Sequence, residues 1–395
     1  MTPAARLNAA IEVLDTIQAG TVAEKALTAW ARGNRFAGSK DRAAIRDHVY
    51  EVLRAKRSLA HLGGGRTGRA LILGLLRREN IAPDAVFGAG GYGPEALSDA
   101  ELQAGLDPQT MTDVVACDIP DWLWPMWQAS LGGQAAACAK VQQSRAPVCL
   151  RVNKRRSDRA GAIARLAEDG IVAVPHPDVK TALEVVENER RVHQSAAYME
   201  GLVELQDAAS QAAMLTLNIA PGATVLDYCA GGGGKALALA DLYDAQVTAH
   251  DINAGRMADI PVRAARAGVD VATADRQGLD AMAPFDVVLC DAPCSGSGTW
   301  RRTPDAKWRL TAEKLLGYND LQLDVLANGA GHVAPGGRLV YATCSVLDCE
   351  NDAVVAAFCG MHPGWHVTKR LRLMPSPHND GFFIVVLLSG QTTLD

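Results

Sequence analysis

No apolar run in this 395-residue chain approaches the roughly 20 residues that a membrane-spanning helix needs; the longest, at 382–388, has seven. The first apolar stretch carries Glu12 and Asp15 and lacks the basic, apolar, small-residue order of a secretory leader, so the expectation is a cytoplasmic protein with no membrane partner. No Cys-x-x-Cys pair occurs. The nine cysteines, at 117, 138, 149, 229, 290, 294, 344, 349 and 359, are an odd and scattered set. In a reducing compartment they read as free thiols, which favours neither a disulfide framework nor a zinc knuckle, and no metal site is expected. There is no Walker A loop either: Cys229 stands where its first glycine belongs, and Ala236 follows Lys235 where magnesium would need a hydroxyl. A dinucleotide fingerprint and a hydride-transfer site are equally absent, as is any internal repeat.

What is present is unevenly charged. Residues 1–80 hold 14 Lys and Arg against 7 Asp and Glu, residues 81–150 hold 2 against 8, and the remainder 23 against 29, within a net charge of −5. A basic front joined to an acidic body suggests a polyanion gripped by one part of the chain, although a solvated helical surface would look the same. Over 6–62, Leu7, Ile11, Leu14 and Ile17, then Ile45, Val49, Val52 and Leu53, recur at three-and-four spacing, the mark of amphipathic helices. Residues 1–140 therefore read as an all-α domain, with Trp122, Trp124 and Trp127 as a packing anchor near its end. Residues 147–205 read as a small α+β insert whose edge carries Lys154, Arg155, Arg156 and Arg159. From 206 to 395, strands alternate with helices in the rhythm of a doubly wound parallel sheet, with turns expected at Pro335-Gly336-Gly337 and Asp380-Gly381 and a late strand at 382–388.

In such a sheet, ligands bind beyond the carboxyl ends of the strands where the strand order reverses. The first strand runs into Asp227-Tyr228-Cys229-Ala230-Gly231-Gly232-Gly233-Gly234-Lys235, a turn stripped of side chains so that backbone can approach a ligand. An aspartate then ends each of the next three strands: Asp251, Asp275 and Asp291. Asp251 follows the glycines by 17 residues, close to the spacing of a carboxylate that binds ribose hydroxyls, so an adenosine-type cofactor fits. Helix capping would explain any one of these aspartates taken alone.

Two further strand ends carry thiols: Asp291-Ala292-Pro293-Cys294-Ser295-Gly296-Ser297-Gly298 and Thr343-Cys344-Ser345. With 227–235 these loops resemble the motifs of the Sun/Fmu (NusB-fused) RNA cytosine-5 methyltransferases, and within them the branch that acts on small-subunit ribosomal RNA. The resemblance extends over nearly the whole chain and implies a multidomain protein: an N-terminal all-α NusB-like RNA-binding domain, a small α+β RNA-contacting insert, and a C-terminal α/β Rossmann-like class I methyltransferase domain. It departs from the family in two places, with Gly231-Gly232 for Ala-Pro and Ala236 for Thr, which should loosen the cofactor loop without removing a reacting group. It implies S-adenosylmethionine as cofactor, held by Cys229 through Lys235 with Asp251, Asp275 and Asp291, and RNA as partner, with an unpaired target cytosine and no obligate protein partner. Cys344 is then the nucleophile that adds to carbon 6 of cytosine, Cys294 assists its release, and Asp291 addresses the base edge at nitrogen 3. Lys235 or Lys307 would help Cys344 to ionise, and Trp300 or Trp308 would stack on the base, with at least one of the two expected to be core instead. A catalytically silent RNA-binding assembly factor, a transfer RNA methyltransferase and a DNA enzyme that uses the Pro-Cys thiol are the competing readings.

Overall fold

The computed structural model describes residues 1–105 and 110–390. They form two compact units, Met1–Arg145 together with Trp300–Leu310, and Ala146–Thr299 together with Thr311–Asp395.

The first unit is helical, built around Pro3–Gln18, Ala23–Gly33, Ser39–Arg54, Lys56–Gly63 and Gly68–Arg78. The residues at three-and-four spacing turn inward: Leu7, Leu14, Ile45, Val49, Leu59 and Leu71 share one buried core. Thr2 and Thr67 cap two of the helices by accepting the Ala5 and Ala70 N–H groups. Trp127 is fully buried and stacks on Trp300 with ring centroids 5.8 Å apart and planes 15° apart, whereas Trp122 is exposed and Trp124 only partly buried, so of the three tryptophans Trp127 alone is core. Trp300 is equally buried and has no face to offer a base. Trp308 is half-buried, donates its ring N–H to the Leu53 carbonyl at 2.6 Å, and is covered by the Lys307 ammonium 4.6 Å from its centroid. Lys307 itself lies inside this unit, where burial pushes its ammonium down to about 8 against the opposing pull of Asp118.

The second unit contains two sheets. The smaller has strands β1 (Val148–Val152), β2 (Val172–Pro175), β3 (Ala182–Glu187) and β4 (Val203–Leu205), antiparallel in the order β2-β3-β1-β4, with the helix Arg159–Glu168. Arg151 on β1 is buried against Asp241 of the helix Gly234–Tyr243 at 2.7 Å, which joins this sheet to the larger one. Much of the basic edge is engaged in the same way: Arg155 donates to Asp244 and to the Ala240 carbonyl, and Arg156 to the Ala267 carbonyl.

The larger sheet holds β5 (Thr224–Asp227), β6 (Gln246–Ala249), β7 (Val271–Thr273), β8 (Phe285–Asp291), β9 (Val333–Thr343), β10 (Trp365–Leu373) and β11 (Phe382–Ser389), in the order β10-β11-β9-β8-β5-β6-β7. Strands β5 to β9 are parallel, whereas β11 runs antiparallel to β9 and β10 antiparallel to β11, so the sheet is not parallel throughout. β10 escapes a sequence reading because an edge strand need bury little, and it spends positions on His366, Lys369, Arg370 and Arg372. Pro335-Gly336-Gly337 is not a turn but lies inside β9. Gly336 has φ +76°, and between Phe285 and Val287 of β8 the pairing skips three residues of β9, an irregularity that bends the strand locally. Side chains alternate between the sheet's two cores: Val225, Leu289, Val340 and Ala342 face one, Leu226, Val288, Leu339 and Tyr341 the other. β11 lies between β9 and β10 and is buried on both faces, the physical reason for the chain's longest apolar run.

Candidate active site

The strand order reverses at β5, whose parallel neighbours are β6 and β8, and the loops beyond these carboxyl ends form the site. After β5 the backbone turns through Gly231 at φ +53° and Gly233 at φ +79°, a left-handed conformation that side chains resist. A Cβ on Gly231 would lie 2.9 Å from the Arg256 guanidinium, and one on Gly233 2.7 Å from Ile260. Asp251, just past β6 and almost fully buried, accepts the Gly231 N–H at 2.9 Å and the Asn253 N–H at 2.9 Å, and pairs with Arg256 at 3.0 Å. The Gly232 carbonyl accepts from Arg263. The loop with glycines in place of Ala-Pro is thus braced from outside by two arginines and one carboxylate.

Lys235, in the first turn of the helix Gly234–Tyr243, reaches Asp291 at the end of β8 with 2.6 Å between Nζ and Oδ2. Burial alone would lower the lysine, but Asp291, hydrogen-bonded to it, and Asp227 beyond raise it overall. Asp227 ends β5 in full burial, with the Ala236 N–H beside its carboxylate and, among the described residues, no side-chain hydrogen bond. Burial first, then the neighbouring Asp291 charge, push it up to about 7, with Lys235 opposing.

The two candidate thiols end adjacent parallel strands. Cys294 follows β8, Cys344 follows β9, and their sulfurs lie 3.5 Å apart. Both are partly accessible. The hydrogen bond from Cys294 holds the Cys344 thiol below its ordinary range against burial, with Lys235 and the Thr299 hydroxyl assisting and Asp291 opposing. The same hydrogen bond, then burial and the charges of Cys344 and Glu350, drive Cys294 up. Cys344 is therefore the thiol that ionises first. Close backbone contact locks the loops: the Gly298 N–H donates to the Cys344 carbonyl at 2.9 Å, and the Gly381 N–H to the Gly298 carbonyl at 2.9 Å.

These contacts bring together the Cys229–Lys235 turn, Asp251, Asp291, Cys294 and Cys344. Asp275 stands apart in role: it caps the helix Arg276–Asp280 by accepting the Gly278 N–H at 2.8 Å. Of the two lysines considered, Lys235 is the one whose charge favours the Cys344 thiolate. Cys290 is a core residue, its thiol donating to the Val325 carbonyl. No group of three or more metal-ligating side chains occurs among the described residues. Sequence reasoning passed over Asp227, although it is the acid that ends the first strand just as the other three end theirs. It also passed over Glu350, a buried carboxylate that joins the two thiol loops and lies within a stretch whose periodicity signals only a helix.

A family model described as 16S rRNA methyltransferase RsmB/F matches residues 214–388, and one described as Methyltr_RsmF/B-like, ferredoxin-like domain matches residues 119–193. Ribosomal RNA small subunit methyltransferase B of Vibrio cholerae is 35% identical over 302 residues, 72% of this chain and 69% of that protein. The protein of that name from Klebsiella pneumoniae subsp. pneumoniae is 34% identical over 289 residues, 69% of this chain and 66% of its own length. The chain thus spans about two thirds of the length of the curated relatives it matches. The crystal structure of PH0851 superposes with a TM-score of 0.71 over 98% of this chain and 99% of that one, at 23% identity, a likeness of fold.

Proposed function

This chain belongs to the 16S rRNA methyltransferase RsmB/F family, and from that premise we propose that it methylates carbon 5 of an unpaired cytosine in small-subunit ribosomal RNA through a covalent bond to Cys344. The observation that carries the reading is the pair of sulfurs 3.5 Å apart at the ends of β8 and β9, beside the Lys235–Asp291 pair. The methyl donor is S-adenosylmethionine, which supplies an electrophilic methyl group when bound. The residues present suit it: a glycine turn that a Cβ would obstruct, Asp251 for ribose hydroxyls, and the buried Asp227 carboxylate, which has no ion-pair partner within reach among the described residues, as a partner for positive charge.

Carbon 5 of cytosine is a weak nucleophile, so the Cys344 thiolate adds first at carbon 6 and the electrons of the 5,6 double bond become available at carbon 5. Asp291, anchored by Lys235, hydrogen-bonds the base edge around nitrogen 3 as charge develops there. After methylation the carbon 5 proton leaves to a base, the 5,6 double bond re-forms, and the carbon–sulfur bond breaks with its electron pair returning to Cys344. Cys294, still protonated, donates its hydrogen bond to the departing thiolate and so favours release. The target base must leave its stack to reach the thiols, which favours loop RNA over duplex. The helical unit, basic over its first 80 residues, grips phosphates through exposed cations such as Arg32, Arg35 and Lys40. Bisulfite sequencing of ribosomal and transfer RNA from a deletion strain and its parent tests the reading: loss of one protected cytosine in small-subunit RNA is expected. Loss in transfer RNA alone, or no loss, contradicts it.

A further inference from the structure

Glu350 is completely buried on the one-turn helix Asp348–Glu350, six residues beyond Cys344. One carboxylate oxygen accepts the Ser295 N–H at 2.7 Å and the Gln322 side-chain amide at 3.2 Å. The other accepts the Ser345 hydroxyl at 2.5 Å and the Ser295 hydroxyl. Ser295 and Ser345 are the residues that immediately follow the two thiols. The loops are stitched again by Ser297, whose hydroxyl lies 2.8 Å from that of Ser345 and accepts the Val346 N–H at 2.9 Å. The Gln322 amide also donates to the Pro293 carbonyl at 2.9 Å, on the other side of Cys294.

A buried carboxylate is costly, and four donors offset that cost here, yet hydrogen bonds alone could be shared with a neutral amide. The distinguishing property is the charge. Cys294 faces Glu350 and Cys344, whereas Cys344 faces Cys294, Asp291, the Lys235 ammonium and the Thr299 hydroxyl. Tyr318 and Tyr341 also feel Glu350 and Cys294, and both are held neutral by burial. On the Cys344 side the Lys235 ammonium and the Asp291 carboxylate offset each other as an ion pair at 2.6 Å, whereas Cys294 faces the Glu350 carboxylate with no cation of these groups beside it, so the fixed anion acts on Cys294.

We propose that Glu350 is a positioning residue that sets the division of labour between the thiols, holding their loops at hydrogen-bonding distance through Ser295 and Ser345 and keeping the shared proton on Cys294 by its fixed charge. This rests on the reading that both thiols serve one reaction, but its test needs no methyl transfer. Iodoacetamide alkylation of the intact free protein across pH 6 to 10, resolved by mass spectrometry, reports each cysteine separately. Glu350→Gln should lower the ratio of Cys344 to Cys294 alkylation at least tenfold, while Glu350→Asp, which keeps the charge, should stay within about threefold of the parent. An unchanged ratio in a folded Glu350→Gln protein, or an equal fall in Glu350→Asp, overturns the charge argument. If Glu350→Gln does not fold, the double variant Ser295→Ala, Ser345→Ala leaves the charge but cuts its links. There the Cys344 alkylation midpoint should move to higher pH, and an unmoved midpoint overturns the proposal. Failure of the parent protein to methylate RNA would remove the function and leave this readout unaffected.

Discussion

Cys294 and Cys344 are fifty residues apart in the chain, yet their sulfurs stand 3.5 Å apart because β8 and β9 are adjacent parallel strands that end at the same rim. A hydrogen bond between two thiols makes them chemically unequal: the one that receives it becomes the better anion, and the one that gives it becomes the proton holder.

Lys235 should be measurable in that inequality. Its charge favours the Cys344 thiolate and is also paired with Asp291, so Lys235→Met removes a favourable cation and leaves Asp291 as an unopposed anion. Both changes raise the Cys344 thiol, and its alkylation midpoint should shift to higher pH by about one unit or more. A midpoint that stays in place or falls would remove Lys235 from thiolate activation.

Asp227 makes folding stability depend on pH. Its folded value of about 7 exceeds the ordinary 3.8, so the folded state holds this proton more tightly than the unfolded state does, and stability falls as pH rises from about 4 to 7. Each pH unit in that window costs about 1.4 kcal/mol. Asp227→Asn should therefore melt higher than the parent at pH 8 and close to it at pH 4. A constant difference between the two melting temperatures across this range contradicts the assignment.

Asp251 already serves the Gly231 N–H, the Asn253 N–H and Arg256. Asp251→Ala should weaken S-adenosylmethionine binding by about 1.5 to 3 kcal/mol, roughly ten- to a hundredfold, through loss of charge-assisted hydrogen bonds and of the loop brace. Calorimetry on the folded variant showing unchanged affinity would exclude Asp251 from the cofactor site.

The basic front of the chain is testable without cutting it. A deletion near residue 140 would expose Trp300 and Lys307, which pack inside the helical unit. The triple variant Arg32→Ala, Arg35→Ala, Lys40→Ala instead removes three exposed charges. If they neutralise phosphates, the slope of log affinity against log salt should shrink by roughly 2 to 3. Identical slopes would make that surface merely solvated.

Much of this was legible in the chain. Three-and-four spacing from Leu7 to Leu53 identified the helices, and the glycine turn with its strand-ending aspartates marked the sheet rim proposed here to hold the cofactor, because both patterns are local. Glu350 was hidden for the opposite reason. A carboxylate in a helical stretch is ordinarily solvated surface, and only the meeting of β8 and β9 shows that this one ties two loops together. Trp300 stayed ambiguous between stacking platform and core because its partner, Trp127, is remote in sequence. β10 was missed because its charged residues obey an edge strand's rules, and Asp275 shows why a strand-end aspartate is ambiguous, since the same residue there caps the following helix.

The most direct measurement is denaturing gel electrophoresis of the protein with labelled small-subunit ribosomal RNA and S-adenosylmethionine, comparing Cys344→Ala with Cys294→Ala. If Cys344 forms the bond to carbon 6 and Cys294 assists its rupture, Cys294→Ala should accumulate a denaturation-resistant protein–RNA adduct with turnover collapsed, whereas Cys344→Ala and the double variant should show neither adduct nor methylation. An adduct in Cys344→Ala that is missing from Cys294→Ala would contradict the account and assign the nucleophile to the Pro-Cys loop.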